Sequence, residues 1–166
     1  MSSSNGTKSP SANPFEGFPD PSTMPAPAYL ERLCGIMVSY LNDHTIGDYK
    51  PVMEKYLSPK FKYESEGPNA VLNANNRDEY YAQLVALTKD APDLQVEPLD
   101  ILTDVDEARG KATLRSTSRI KAVFETSSMI VREGVEVTRW TRLADGEWVC
   151  DRLTLMTGPG NAMFGV

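Results

Sequence analysis

The order of hydrophobic patterns predicts an α+β domain in which about three N-terminal helices lie across one curved, mixed β-sheet. Two observations carry this prediction. Apolar residues recur at helical spacing through the first half, and from Leu94 onward the pattern is of strands only. In addition, two runs rich in Val, Ile, Thr and Trp, together spanning Met129 to Met156, flank Ala144-Asp145-Gly146. β-Branched and aromatic residues suit a pleated surface, and a short Asp-Gly link between such runs predicts a β-hairpin. Both arms are long, so the hairpin is expected at the centre of the sheet. Helices followed by strands argue for an α+β layer arrangement. Three helices on a strongly bent sheet form a cone whose wide end is hard to fill and tends to become a ligand pocket.

Composition sets the outer bounds. The chain has 166 residues, consistent with one domain of the usual ~100–200 residues. Charged residues make up 24% and hydrophobic ones 40%, and the formal net charge is -6. That sign argues against a general nucleic-acid surface and against an anionic membrane as partner. No apolar run reaches the ~20 residues of a membrane span, and the N-terminus lacks a secretory apolar core. The two cysteines, Cys34 and Cys150, lie far apart with no second pair. Two reduced thiols in a cytoplasmic protein are therefore expected.

Residues 1–24 are mainly Ser, Asn, Pro and Gly and are expected to form a disordered tail, with Phe15 and Phe18 able to dock weakly. The ordered domain is expected over 25–157 and a short tail over 158–166. Leu30, Leu33, Met37, Tyr40, Leu41 and His44 share one face of a helix from Pro27 to Thr45, with Gly47 as its stop. Asp48 is placed to cap a second helix with Pro51 in its first turn, ended by Ser58-Pro59. Phe61, Tyr63 and Ser65 alternate as in a strand, and Gly67-Pro68-Asn69 predicts a turn. Asn76 and Glu79 form a capping pair for a third helix from Arg77 to Lys89, which carries Tyr80, Tyr81 and Leu84 on one face. A strand from Leu94 to Thr103 holds Pro98, a mark of an edge or bulge, and Asp104 to Glu107 is expected to turn. A strand from Ala108 to Val123 then leads to the hairpin.

Several side chains are candidates for chemistry. Tyr40 and Tyr63 are hydrogen-bond donors able to stabilise a developing enolate, or core tyrosines bonded to backbone. His44 is the one histidine, a proton carrier near neutrality or a cation favoured at a helix C-terminus. Glu136 alternates in phase with Thr138 and Trp140. On a concave face it becomes a buried carboxyl with a raised pKa and the best available base; on a convex face it is a surface residue. Ser116 and Ser118 share the parity of Ala112 and Leu114 and are expected under the helices. Arg115, Thr117 and Arg119 then face outward, toward solvent or acidic residues of a second subunit. Glycine-rich phosphate loops, zinc sets, Ser-His-Asp spacing and nicotinamide or flavin fingerprints are all lacking, so neither a cofactor nor a metal is expected.

With Ile46-Gly47-Asp48 after the first helix, Tyr56-Leu57-Ser58-Pro59-Lys60-Phe61 at the helix-to-strand join and Asp145-Gly146-Glu147-Trp148-Val149 in the closing hairpin, the chain resembles the nuclear transport factor 2-like (cystatin-like) superfamily, of the SnoaL-like kind. That superfamily includes ketosteroid isomerase, scytalone dehydratase, limonene-epoxide hydrolase, polyketide cyclases and non-enzymatic binding modules. The resemblance to the isomerase implies Tyr40 as its oxyanion tyrosine, Ser65 (Glu64 or Glu66 if the register slips) at its general-base position and Thr138 near its second oxyanion donor. The resemblance to the epoxide hydrolase implies a set of Arg115, Glu136 and Arg152. Taken together, the expected activity is a cofactor-independent isomerase, cyclase or dehydratase acting on an apolar polyketide- or terpenoid-like compound. Its catalytic residues would come from Tyr40, Tyr63, His44 and Glu136. Ser65, Tyr81, Leu84, Ser116, Ser118, Thr138 and Trp140 would bind substrate. The alternative is a non-catalytic ligand-binding or dimerisation module of the same fold. A homodimer through the convex sheet face is the expected assembly.

Overall fold

The first helix begins where the composition turns from polar to aliphatic. A computed structural model describes residues 13–66, 73–123, 129–158 and 161–163. Helix α1 spans Ala26–Asn42, with proline in its first turn, where the missing N–H leaves no bond unmade. Tyr29, Leu30 and Leu33 form its buried face. The stop is His44 and not Gly47: His44 takes a left-handed backbone (φ 55°), and the N–H groups of His44 and Thr45 bond back to the carbonyls of Leu41 (3.3 Å) and Tyr40 (3.2 Å). Histidine is among the few non-glycine residues enriched in that conformation. A 3-10 turn, Ile46–Tyr49, then leads into α2, Lys50–Tyr56. Asp48 makes no capping bond to α2, because the 3-10 turn runs directly into the helix. Ser58-Pro59 does not end α2 either, since both residues already belong to strand β1, Leu57–Glu66.

Strand β2 is Asn73–Ala74, and the expected turn at Gly67-Pro68-Asn69 lies outside the described residues. Helix α3, Arg77–Asp90, carries the cap its sequence predicts. The Asn76 side chain accepts from the Glu79 N–H at 2.9 Å, and the Glu79 carboxylate accepts from the Asn75 N–H at 2.8 Å. Strands β3 (Gln95–Asp106), β4 (Lys111–Val123), β5 (Met129–Arg142) and β6 (Trp148–Thr157) follow, with a short β7 (Asn161–Met163) pairing with β5. β3 runs through Asp104 to Asp106, so the expected turn starts later, at Glu107, and closes at Gly110 with φ 59°. Phe164 and Val166 lie outside the described residues.

The sheet order is β2-β1-β6-β5-β4-β3, with β1 and β6 parallel and the other pairs antiparallel. The β5–β6 hairpin therefore sits in the middle. Its link is closed by Leu143 N–H to Glu147 O at 2.7 Å, with Gly146 at φ 91°. β3 is an edge strand and its register slips between Pro98 and Asp100. Asn42, at the end of α1, covers that edge. Its Nδ2 donates to Val96 O (2.8 Å) and its Oδ1 accepts from Val96 N–H (2.7 Å). One amide thus satisfies two edge groups that would otherwise invite another chain. No helix among the described residues is long and apolar enough to cross a membrane.

Order extends further toward the N-terminus than composition predicts. Phe18 stacks on Tyr56 with ring centroids 5.6 Å apart, and Phe15 meets Phe18 and Tyr56 edge-on at 5.7 and 6.4 Å. Pro19 is buried beside them. Average composition hides what two aromatic rings can bury. Removing that contact in Phe18→Ala is expected to cost about 1–2 kcal/mol, the scale of an aromatic contact plus partial burial. Asn76→Ala is expected to cost about 1 kcal/mol through loss of the cap. Urea unfolding monitored by tryptophan fluorescence checks both; a Phe18 variant as stable as the parent would show that the Phe18–Tyr56 stack contributes nothing.

Candidate functional site

The inner face of the sheet is set by the residues that cannot face water. Ala112, Leu114 and Trp140 are buried beneath the helices. In the β4–β5 register Trp140 stands opposite Ala112, Thr138 opposite Leu114 and Glu136 opposite Ser116. Side chains two apart on a strand share a face, so Glu136 points inward with Thr138 and Trp140. Ser116, Ser118 and Thr138 are the buried polar residues of this face. Outward alternate Arg115, Val135 and Arg139, all exposed.

Beneath the helices these groups line a cavity of about 80 Å³. That is several times the ~10–15 Å³ a single water needs, and small for a ligand. Cys34, Met37, Val38 and Leu41 of α1 form its roof, with Tyr49 from the 3-10 turn and Tyr80 and Leu84 from α3. Leu57, Phe61, Pro98, Ile101, Cys150 and Leu153 complete an apolar wall. Among the described lining residues Glu136 is the one carboxylate, and no lysine, arginine or histidine joins it.

Electrostatics follow from this enclosure. Glu136 keeps partial solvent contact through the cavity it lines, while protein atoms crowd the rest of the side chain. Burial raises its carboxyl pKa from the ordinary 4.5, and a hydrogen bond with the Ser116 side chain opposes the rise. Burial likewise raises the phenols of Tyr49 and Tyr80, with the charge of Glu136 adding to each. Both stay protonated donors. The Cys34 thiol is pushed up to about 12, by burial first and then by Glu136 and Glu31, so it stays a thiol. Thr138 Oγ1 accepts from Trp140 Nε1 at 2.8 Å, which leaves its own hydroxyl proton available. The arrangement is a carboxyl of raised basicity among neutral hydrogen-bond donors, suited to moving a proton. Among the described residues no group of His, Cys, Asp and Glu is placed to hold a metal ion.

The sequence candidates divide accordingly. Glu136, Ser116, Ser118, Thr138, Trp140 and Leu84 come together on the wall. Tyr40 lies behind it: its ring packs on Tyr49 at 5.2 Å and its hydroxyl is 3.5 Å from Pro14 O. Tyr63 is buried against Tyr80 at 5.0 Å, so Tyr80 and not Tyr63 meets the cavity. His44 is exposed beyond the end of α1. Ser65, half-buried, and Tyr81, whose ring lies 5.9 Å from Lys50 Nζ, are also off the wall. Arg115 and Arg152 face outward, Arg152 toward Glu64 at 3.6 Å, so neither flanks Glu136. Sequence reasoning missed Tyr49 and the cavity side of Tyr80. A four-residue turn has no periodicity to place Tyr49, whereas Tyr80 was visible on the apolar face of α3.

A carboxyl whose folded-state pKa exceeds its unfolded value holds its proton longer when folded. Its stabilising share is whole below the unfolded pKa and is lost as pH rises through the folded one. The stability of Glu136→Gln relative to the parent is therefore expected to rise as the pH increases above the ordinary 4.5 of a glutamate. Urea titrations across that range check this; a difference that stays flat, or shrinks with pH, would place Glu136 in an ordinary aqueous setting.

No family model matches the chain and no curated protein matches it in sequence. Solved structures do. A candidate scytalone dehydratase from Novosphingobium aromaticivorans superposes with TM-score 0.65 at 17% identity, over 82% of this chain and 87% of that one. Hexachlorocyclohexane dehydrochlorinase LinA-type3 from Novosphingobium barchaimii gives TM-score 0.70 at 12% identity, over 84% and 90%. A protein of unknown function from Pseudomonas putida, described as nuclear transport factor 2-like, gives 0.63 at 12%, over 85% and 95%. At these identities the likeness is one of fold. The chain has the nuclear transport factor 2-like fold, an α+β cone with a curved mixed sheet.

Proposed function

We propose that the protein is a cofactor-independent isomerase or lyase acting on a compact apolar compound; one of polyketide or terpenoid type requires the cavity to widen beyond its about 80 Å³. The observation that carries this reading is Glu136, a carboxylate facing an apolar cavity with burial raising its basicity. In the reaction, the Glu136 carboxylate takes a proton from a carbon next to an electron-withdrawing group. The C–H electron pair moves into the substrate, as an enolate or toward a departing β-substituent. Returning the proton to another carbon gives isomerisation; loss of the substituent gives elimination. Donor roles pass from Tyr40 and Tyr63 to Tyr49 and Tyr80, which line the cavity as neutral phenols. Ser116 holds the carboxylate, and Thr138 adds a donor beside it.

The scytalone dehydratase-like and dehydrochlorinase neighbours support the reading only through their shared cone. A second reading, a non-catalytic binding module, is favoured by the rest of the wall, where Met37, Val38, Leu41, Leu57 and Leu153 offer contact but no chemistry. A thermal-shift screen of aromatic polyketides and terpenoids, with hits then incubated in D₂O and followed by mass spectrometry, separates the two. Enzyme action predicts deuterium uptake or product with the parent protein. Glu136→Gln is expected to bind the same hit and react ~10²–10⁴-fold more slowly, the scale of a lost general base. Tyr49→Phe is expected to lose on the order of 10²-fold, the scale of one oxyanion donor. A hit that binds but never exchanges or reacts would favour the binding module, and a Glu136→Gln variant as fast as the parent would remove the carboxylate from the mechanism.

A further inference from the structure

The opposite face of the same strands carries a feature that the cavity does not use. Lys62 of β1 pairs in register with Arg152 of β6, and Arg152 pairs in turn with Arg139 of β5. Three cations thus stand side by side across three strands, spanning ~10 Å at the usual strand spacing. Like charges directly opposite one another destabilise a sheet. One acidic neighbour relieves them: Glu64 lies 3.6 Å from Arg152. Among the described residues neither Lys62, Arg139 nor the adjacent Lys60 has an ion pair.

Two irregularities turn this row into a cleft. β6 carries one extra residue, Asp151, where the β5 register shifts between Arg139 and Trp140. The β1 register shifts between Leu57 and Lys62, the stretch that contains Lys60. Bulges of this kind bend strands and re-aim side chains, and are over-represented beside functional sites. The cleft between them is lined by Lys60, Lys62, Lys111, Arg139 and Arg152, with Asp151 the one carboxylate among the described lining residues. Asp151 is already engaged. It accepts from Thr141 Oγ1 at 2.5 Å, and Thr141 Oγ1 lies 2.7 Å from Lys111 Nζ. Five cations gather here, against the tethered Asp151 and the Glu64 paired with Arg152, on a chain whose net charge is -6.

We propose that this cleft is a second binding site, for a compact oxyanion of the phosphate or pyrophosphate type. Guanidinium and ammonium groups form short charge-assisted bonds to such oxygens, and a bound anion converts the repulsion along the row into attraction. The row is too short to track a nucleic-acid backbone, so the charge-based expectation against nucleic acid is kept. The site rests on no part of the cavity's chemistry.

The test is titration of ¹⁵N-labelled full-length protein with inorganic phosphate and with pyrophosphate, at constant ionic strength, followed by NMR. Saturable shifts are expected around residues 60–62, 139–141 and 151–152. Lys62→Gln and Arg139→Gln are each expected to weaken pyrophosphate binding by ~10-fold, the scale of one charge-assisted contact. Lys89→Gln and Lys121→Gln, cations elsewhere, are expected to leave it unchanged. Pyrophosphate should also raise the melting temperature of the parent but not of the Lys62→Gln/Arg139→Gln double variant, a readout independent of any one variant's folding. Absence of saturation by ~10 mM pyrophosphate would overturn the site, as would equal weakening by the control substitutions. So would sedimentation showing a dimer that Lys62→Gln dissociates, because the row would then be matched by a second copy of the chain.

Discussion

The register between β4 and β5 decides what every residue of the central sheet can do. Strand side chains alternate, so a slip of one position would turn Glu136, Thr138 and Trp140 out to solvent and bring Val135, Val137 and Arg139 inward. Burial of Trp140 opposite Ala112, and of Leu114 opposite Thr138, holds the observed pairing. An exposed Trp140 would forfeit on the order of 2–3 kcal/mol of apolar burial, before any cost of burying Arg139. The carboxylate in the cavity is therefore a consequence of packing several residues away from it. Glu136 is held inward by its neighbours and not by a partner charge.

That arrangement explains the chemistry open to the site. A carboxylate paired with a guanidinium would be acidic and inert; Glu136 has instead a serine hydroxyl and an apolar enclosure. Burial and the Ser116 bond pull its pKa in opposite directions, and burial is the larger. The same enclosure keeps Tyr49, Tyr80 and Cys34 protonated. One proton acceptor among neutral donors is the simplest set able to shift a proton between carbons.

Much of the fold was legible because it rests on local chemistry. The Asn76–Glu79 cap, the Pro98 irregularity, the Asp-Gly link and the central place of the hairpin follow from residue types at fixed offsets. Contacts distant in sequence were not legible: Asn42 on the β3 edge, Phe18 on Tyr56, and the two bulges beside the cationic row. The site was half legible. Ser116 and Ser118 followed once strand parity was assumed, but the facing of Glu136 and Thr138 did not. The outer face there carries Val135 and Val137 and the inner face a glutamate, the reverse of the pattern a solvated sheet leads one to expect. Tyr40, assigned by resemblance, proves one ring removed from the cavity, because the 3-10 turn brings Tyr49 in front of it.

The strands thus serve two faces of opposite character, an apolar cavity with one carboxylate within and a cationic cleft without. The account turns most directly on the ionisation of Glu136. A pH titration of the side-chain carboxyl carbons by ¹³C NMR, with Glu136 assigned by its absence in Glu136→Gln, measures it. The account predicts a midpoint clearly above that of the exposed glutamates, and a further rise in Ser116→Ala. A midpoint at or below those of the exposed glutamates would contradict it.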